Sequence, residues 1–172
     1  MDLPAIQELF QYNYWANRRI LFAAGGVDAA HWSRLAELNH DSLRGTLVHI
    51  LAAEVIWRQR CQERISPTQL ITERAFLKLE ILIQHWQEEE RRMLGYLGTL
   101  DDTALGETIR YKNTRGADFE MTLWRILAHV VNHGTQHRAE AAALLTAEGQ
   151  SPGELDLIIY AEKLAADARD GA

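Results

Sequence analysis

The stretch "ILAHVVNHGTQHRAEAAALL", residues 126–145, contains three of the seven histidines of the chain, His129, His133 and His137, at intervals of four. Its apolar residues recur with the period of an α-helix, so the stretch predicts a long helix with imidazoles on successive turns. A buried imidazole that finds no polar partner costs a few kcal/mol of stability. The stretch therefore predicts a core helix together with some feature of the fold that satisfies its histidines.

The direction of each histidine follows from a helical wheel of this stretch. At about 100° per residue, the apolar residues cluster around one direction. His137 lies about 30° from the centre of that stripe, His133 about 70° and His129 about 110°. The first two histidines are predicted to face inward, about 5–6 Å apart at Cβ, and the third to lie at the margin.

Three more segments have the length and apolar periodicity of long helices. The first helix is predicted from Pro4 to a stop at Gly25, and the second from Ser42 to Ser66. The third is predicted from Thr72 to Leu100, and the fourth from Thr122 to Gly149. Four long helices with one long crossover connection predict an all-α four-helix bundle.

Shorter elements complete the predicted fold. Asp28 could cap a short helix over 29–38, and residues 151–164 have the pattern of a short C-terminal amphipathic helix. The long connection Asp101–Asp118 contains a segment with the composition of a small hairpin, with an Asn-Thr-Arg-Gly turn. No internal repeat or second boundary is visible, so residues 1–172 are predicted to form a single domain.

Composition and charge exclude several classes of function. Apolar residues make up 47% and charged residues 24% of the chain, which is typical of a soluble globular protein. The net charge of −6, without a long basic run, argues against nucleic acid and membrane as partners. The single cysteine, Cys61, excludes an internal disulfide and is expected in the core. No signal peptide or membrane span is recognisable, so a cytoplasmic protein is expected.

The inward pair of the fourth helix has metal-binding spacing, because two imidazoles one turn apart can bridge one ion. His49, in the middle of the most buried predicted helix, is the natural third ligand. Three histidines from two helices leave positions for water or substrate, which is the layout of a catalytic metal site. A metal-free bundle, in which the histidines bond only to one another, is the alternative.

Other metal templates do not match the sequence. A zincin requires His-Glu-x-x-His, but Gly134 follows His133 and no glutamate lies between the two histidines. A di-iron carboxylate bundle requires two Glu-x-x-His motifs. The chain has one such match, Glu37-x-x-His40, in a short segment before the second helix, and we attribute it to chance.

Three segments resemble the DinB-like family of small metal-binding helical proteins, and together they span nearly the whole chain. They are "YNYWANRRIL" (12–21), "HDSLRGTLVHILAAEVIW" (40–57) and "LAHVVNHGTQHRAE" (127–140). The most specific part is one histidine in the second helix followed by His-x-x-x-His-Arg in the fourth. The resemblance implies a four-helix bundle with a long crossover, and a homodimer. It places the family's metal triad on His49, His133 and His137, the same residues that the wheel and the spacing select.

The residues that follow and flank the triad are candidates for supporting roles. The resemblance implies that His129 is an extra histidine rather than a ligand. Where many relatives continue His-Arg-Gly-Gln, this chain continues with Arg138, Ala139 and Glu140. Glu140 is a candidate catalytic base, or a group that supports a metal ligand by contacting it. An ordinary surface ion pair is the equal alternative. Arg138 is a candidate anchor of a helix–helix or dimer contact.

Two asparagines of the first helix are also candidates for the pocket. Asn13 and Asn17 lie on an otherwise apolar inward stripe. We therefore expect their amides to reach toward the site.

The resemblance implies two kinds of activity. Relatives are associated with hydrolysis of small amide or ester-like substrates, and with transfer of low-molecular-weight thiols such as bacillithiol, mycothiol or glutathione. One divalent ion, zinc, nickel or iron, on three neutral imidazoles can lower the pKa of bound water toward about 7 or hold a thiolate. A metal-dependent small-molecule enzyme is therefore expected. The alternative is a non-catalytic, stress-associated metal-binding or sensor module, which a closed fourth ligand would favour.

Overall fold

The computed structural model describes residues 1–34, 40 and 42–170. Within these ranges the chain forms seven α-helices and one two-stranded sheet. The helices are α1 (Leu3–Ala24), α2 (Ala29–Trp32), α3 (Leu43–Arg58), α4 (Leu79–Leu97), α5 (Asp102–Leu105), α6 (Leu123–Ala147) and α7 (Leu157–Asp170). Helices α1, α3, α4 and α6 are the four long ones, which confirms the predicted all-α fold.

The signals that predicted the helix starts act as capping groups. The Asp2 carboxylate accepts a hydrogen bond from the Ala5 amide at 3.0 Å, and Pro4 lies in the first turn of α1, where its missing N–H costs nothing. The Ser42 hydroxyl accepts a hydrogen bond from the Gly45 amide at 2.9 Å at the start of α3. Both contacts satisfy amides that have no partner within the helix.

The predicted start of the third long helix is wrong. Thr72 precedes only a short 3₁₀ turn, Glu73–Ala75, and α4 begins at Leu79. Phe76 leaves the helical conformation and lies 1% exposed among the core side chains. Burial of this aromatic ring therefore directs the chain into the core before α4 can begin.

The end of the second long helix also differs from the prediction. The α-helical part ends at Arg58, and residues Gln59–Glu63 form a turn of π-helix. Arg64 then adopts a left-handed conformation, with φ of 57°. Each hydrogen bond of a π-helix spans five residues instead of four, and this wider turn occurs where the helix ends before Ser66.

The connection between α4 and α6 contains the predicted hairpin. Strands β1 (Thr108–Lys112) and β2 (Asp118–Thr122) pair antiparallel. The Asn113 side-chain oxygen accepts hydrogen bonds from the Arg115 and Ala117 amides, and Gly116 supplies the positive φ of 85° that the turn requires.

The two short predicted helices differ in extent from what is observed. The helix after Asp28 is observed as Ala29–Trp32, and residues 35–39 of the predicted segment lie outside the described residues. The C-terminal helix α7 begins at Leu157 and runs to Asp170, so it starts and ends six residues later than the sequence pattern indicates. The single-domain organisation stays a prediction.

The four long helices pack around two apolar clusters. Helix α6 contacts α1 and α3, and α4 contacts the same two helices. One cluster combines the beginnings of α1 and α6 with the end of α4, and the other combines the end of α1 with the beginnings of α3 and α4. Buried polar side chains occupy the level between them: Asn13, Asn17, Glu54, Arg58, Glu89, His137 and Arg138.

No helix in the described part of the chain combines the length and the hydropathy that crossing a membrane requires.

Candidate metal centre

The central contact of the site joins the second and fourth long helices. The Nε2 atoms of His49 on α3 and His133 on α6 lie 3.0 Å apart. The ring of His137, one turn after His133, lies 4.5 Å from the His133 ring and 4.7 Å from the His49 ring between centroids. The three histidines selected from the sequence thus lie together at the α3–α6 interface.

A fourth histidine joins this cluster. The His40 ring stacks on the His49 ring with centroids 3.7 Å apart and lies 4.9 Å from the His137 ring. Ligand atoms of His40, His49 and His137 all lie within 4.8 Å of one another. The Glu37-x-x-His40 match, attributed above to chance, therefore contains a member of the cluster. Glu37 lies outside the described residues.

The position of His40 depends on a glycine in the first turn of α3. The His40 carbonyl accepts a hydrogen bond from the Ser42 amide at 2.7 Å. A Cβ atom on Gly45 would lie 2.0 Å from that carbonyl oxygen, so no larger residue fits there without moving the segment. Gly45 signals a close backbone approach in the sequence, but it does not reveal which residue approaches.

The environment of the cluster keeps two of its imidazoles, those of His49 and His133, neutral. Burial, followed by repulsion from the neighbouring imidazoles, lowers the pKa of His49 to about 3. Burial, followed by the neighbouring His137 ring, lowers the pKa of His133 to about 4. Neutral imidazole is the form that binds a metal ion.

The donor set fits a divalent metal ion. Two nitrogens bonded at about 2.0–2.1 Å to one ion lie roughly 2.8–3.0 Å apart at a right angle and about 3.3–3.4 Å apart at the tetrahedral angle. The His49–His133 separation of 3.0 Å lies within these limits. The buried Nδ1 atom of His133 has no hydrogen-bond partner among the described residues, so the surrounding protein leaves part of this ring's polarity unsatisfied. Clustered imidazoles suit zinc, nickel, copper or iron.

Glu140 contacts one of the candidate ligands directly. Its carboxylate Oε2 lies 2.8 Å from His137 Nδ1. A carboxylate that accepts the Nδ1 proton of a histidine fixes the ring and leaves Nε2 free to bind an ion. Of the roles considered for Glu140, this geometry favours support of a ligand.

His129 lies at the margin of the cluster. Its side chain is exposed, with its ring 5.6 Å from the His133 ring and 5.5 Å from the Trp57 ring between centroids. This placement matches the angle that the helical wheel predicts.

The expected direction of the two asparagines is wrong. Asn13 and Asn17 donate hydrogen bonds to the Glu54 carboxylate at 2.8 and 3.0 Å and accept hydrogen bonds from Arg138 at 2.5 and 2.8 Å. Their polar groups are therefore used within the helix interface behind the histidines. Arg138 itself joins α6 to α1, the helix–helix contact expected of it.

A cavity adjoins one side of the histidine cluster. It has a volume of about 290 Å³ and is lined by His40, His49 and Glu73 together with apolar residues. This volume is close to the lower limit of about 300 Å³ for small-molecule sites. A small ligand could therefore approach the cluster from the side of His40 and His49.

Cys61 is unsuited to nucleophilic chemistry. It is 2% exposed, and burial raises its pKa to about 12. The thiol therefore stays protonated and packed in the core.

Comparisons with known proteins identify the family of this chain. A family model described as "DinB family" matches residues 1–168. A curated relative, "Protein DinB" from Bacillus subtilis (strain 168), is 21% identical over 159 residues, which cover 89% of this chain and 91% of the relative. Because the family model matches nearly the whole length, the chain belongs to the DinB family.

Proposed function

We propose that the protein is a divalent-metal-dependent enzyme acting on small molecules. One observation carries the proposal: a cluster of imidazoles from α3 and α6 adjoins a cavity of about 290 Å³. A purely structural metal site has no need of such a cavity.

The side chains of the cluster have distinct parts in this proposal. His49, His133 and His137 hold the ion, and Glu140 fixes the His137 ring through Nδ1. Burial keeps His49 and His133 unprotonated, so that no proton competes with the ion near neutral pH. When bound, the ion supplies a Lewis acid that makes water or a thiol nucleophilic near neutral pH. Both hydrolysis and thiol transfer are compatible with this arrangement.

Elemental analysis and an activity screen test the proposal. The purified protein should contain about one divalent ion per chain, and H49A should lose it. The control, H129A, removes an exposed histidine of α6, the helix that carries His133 and His137, and should retain the ion. Wild-type protein, with its metal restored, should then turn over small amides and esters, or conjugate a low-molecular-weight thiol. Full metal occupancy in H49A, or no turnover of either substrate class by the metal-loaded protein, would contradict the proposal.

A stress-associated metal-binding or sensor module is the second candidate, and the position of His40 favours it. If His40 binds as a fourth imidazole, the coordination sphere closes, as in structural sites. Cobalt-substituted protein distinguishes the two candidates, because an open sphere changes its visible spectrum when azide or a small thiol is added. A spectrum that stays unchanged would favour the module.

The family resemblance adds three proposals about the surroundings of the protein. We propose a homodimer, a small-molecule partner that could be a thiol, and a cytoplasmic location.

A further inference from the structure

A buried ion pair bridged by two amides lies behind the histidine cluster. Each of Asn13 and Asn17 donates from Nδ2 to Glu54 Oε1, at 2.8 and 3.0 Å. Each also accepts at Oδ1 from Arg138 Nη1, at 2.5 and 2.8 Å. The four side chains are at most 2% exposed. We call Asn13, Asn17, Glu54 and Arg138 the amide clamp.

Further contacts extend the clamp to all four long helices. The other carboxylate oxygen of Glu54 accepts a hydrogen bond from the Trp86 indole on α4 at 3.1 Å. Arg138 Nη2 donates to the Thr135 hydroxyl on α6 at 3.0 Å. A satisfied buried network of this kind specifies one relative placement of the helices it joins.

The clamp and the histidines share the same turn of α6. Arg138 directly follows His137, and Gly134 directly follows His133. A Cβ atom on Gly134 would lie 2.6 Å from Arg138 Nη1 and 2.9 Å from Asn13 Oδ1. Glycine is unfavourable within a helix, and here its missing side chain leaves the space through which the guanidinium reaches α1.

We propose that the amide clamp positions the metal ligands, by fixing the rotation of α6 so that His133 and His137 face His49. This inference rests on the proposed function, since it concerns the ion held by that site. Ligand constellations require placement within about 0.5 Å and 10–20°, and the clamp holds α6 at Arg138, about 100° around the helix from His137. When it is ionised, the Glu54 carboxylate also offsets the positive charge of Arg138, which lies buried beside the proposed cation site.

A matched pair of glycine substitutions tests the proposal. G134A inserts a methyl group into the clamp, whereas G95A places one in α4 where no atom lies within 4 Å. Both changes favour the helix by the same propensity. We expect G134A to bind Co²⁺ at least about 10-fold more weakly than wild type, the lower limit for loss of a supporting residue, with an altered visible spectrum. G95A should bind as wild type does.

A second variant guards against a folding defect in G134A. E54Q keeps the size of the side chain but replaces an oxygen that accepts hydrogen bonds from Asn13, Asn17 or Trp86 by an N–H donor. We expect a loss of Co²⁺ affinity of similar size. The folded fraction of each metal-free variant is measured first by circular dichroism in the presence of chelator. Weaker binding by folded E54Q supports the proposal even if G134A does not fold.

The failures of this inference and of the proposed function are distinguishable. If wild type binds Co²⁺ and both variants bind it equally well, with only their melting temperatures lowered, the clamp stabilises the fold alone and the inference is overturned. If wild type itself binds no divalent ion, the proposed function is overturned and this inference with it.

Discussion

The Nε2 atoms of His49 and His133 lie 3.0 Å apart, although 84 positions separate these residues in the chain. Two neutral imidazoles in this contact can share only one hydrogen bond, whereas one ion between them would use both lone pairs. The contact exists because α3 and α6 pack side by side. The metal chemistry proposed for this member of the DinB family depends on that packing.

The first prediction concerns the ligand set. Two groups of histidines are candidates for the ligand set. One is the triad selected from the sequence, His49, His133 and His137, and the other is His40, His49 and His137. We expect H49A, H133A and H137A each to weaken Zn²⁺ binding by more than the 10- to 100-fold typical of a lost supporting residue. We expect H40A to retain the ion with weaker binding. Competition titration with a chromophoric chelator measures all four variants.

The comparison of H40A with H133A decides between the two groups. If H133A binds Zn²⁺ like wild type while H40A loses it, the third ligand is His40 and the sequence-derived triad is wrong. H85A, which removes an exposed histidine on α4, is the control for nonspecific effects.

The second prediction concerns the carboxylate on His137. E140Q keeps the size of the side chain but weakens the hydrogen bond to Nδ1, so the ring should be less well oriented and less basic. We expect roughly a 10- to 100-fold loss of metal affinity with little change in the melting temperature of the metal-free protein. E162Q, at an exposed position of α7, should leave affinity unchanged. An E140Q variant with wild-type affinity would assign Glu140 to an ordinary ion pair.

The third prediction is a pH dependence of stability that arises from Glu54. Burial raises the pKa of Glu54 from 4.5 to about 7 in the folded protein, against the opposing hydrogen bonds of Asn13 and Asn17. Between these two values the folded state binds the proton and the unfolded state does not, so this group's contribution to stability falls as pH rises from about 4.5 to 7. One pKa unit corresponds to about 1.4 kcal/mol, and we expect a total effect of roughly 1–3 kcal/mol.

Urea unfolding of the metal-free protein checks this pH dependence. The free energy of unfolding of wild type minus that of E54Q isolates Glu54, because the histidine contributions cancel in the difference. This difference should decrease between pH 5 and pH 8, because wild type loses stability relative to E54Q as the pH rises. A difference that is constant over this range would show that Glu54 titrates normally.

The fourth prediction concerns the thiol. Because Cys61 is buried and burial raises its pKa to about 12, native protein should react with an aromatic disulfide reagent at pH 8 only as fast as it unfolds. In denaturant the same thiol should react at once. C61A should retain metal binding, and it should retain whatever activity the screen identifies. Rapid labelling of the native protein would contradict the described burial.

The sequence indicated much of the fold because its signals are local. The apolar period of residues 126–145 predicts both a helix and the inward direction of His137, which is 5% exposed. The Asn-Thr-Arg-Gly segment predicts the hairpin turn because the Asn113 side chain can accept hydrogen bonds from turn amides and Gly116 can adopt a positive φ. The start of α4 was missed, since burial of Phe76 is a tertiary contact that overrides the local helical pattern.

The amino-acid sequence by itself indicated the four long helices, the face that α6 buries and the candidate histidines on it, because periodicity and spacing act within one element. Tertiary structure alone decided that His40 joins them, and that Asn13 and Asn17 turn to Glu54 and Arg138 instead. The reason is physical: the His40 backbone must approach Gly45 closely, and the Arg138 and Asn13 side chains must approach Gly134. A glycine shows in the sequence that space is needed, but only the packed helices determine which group fills it.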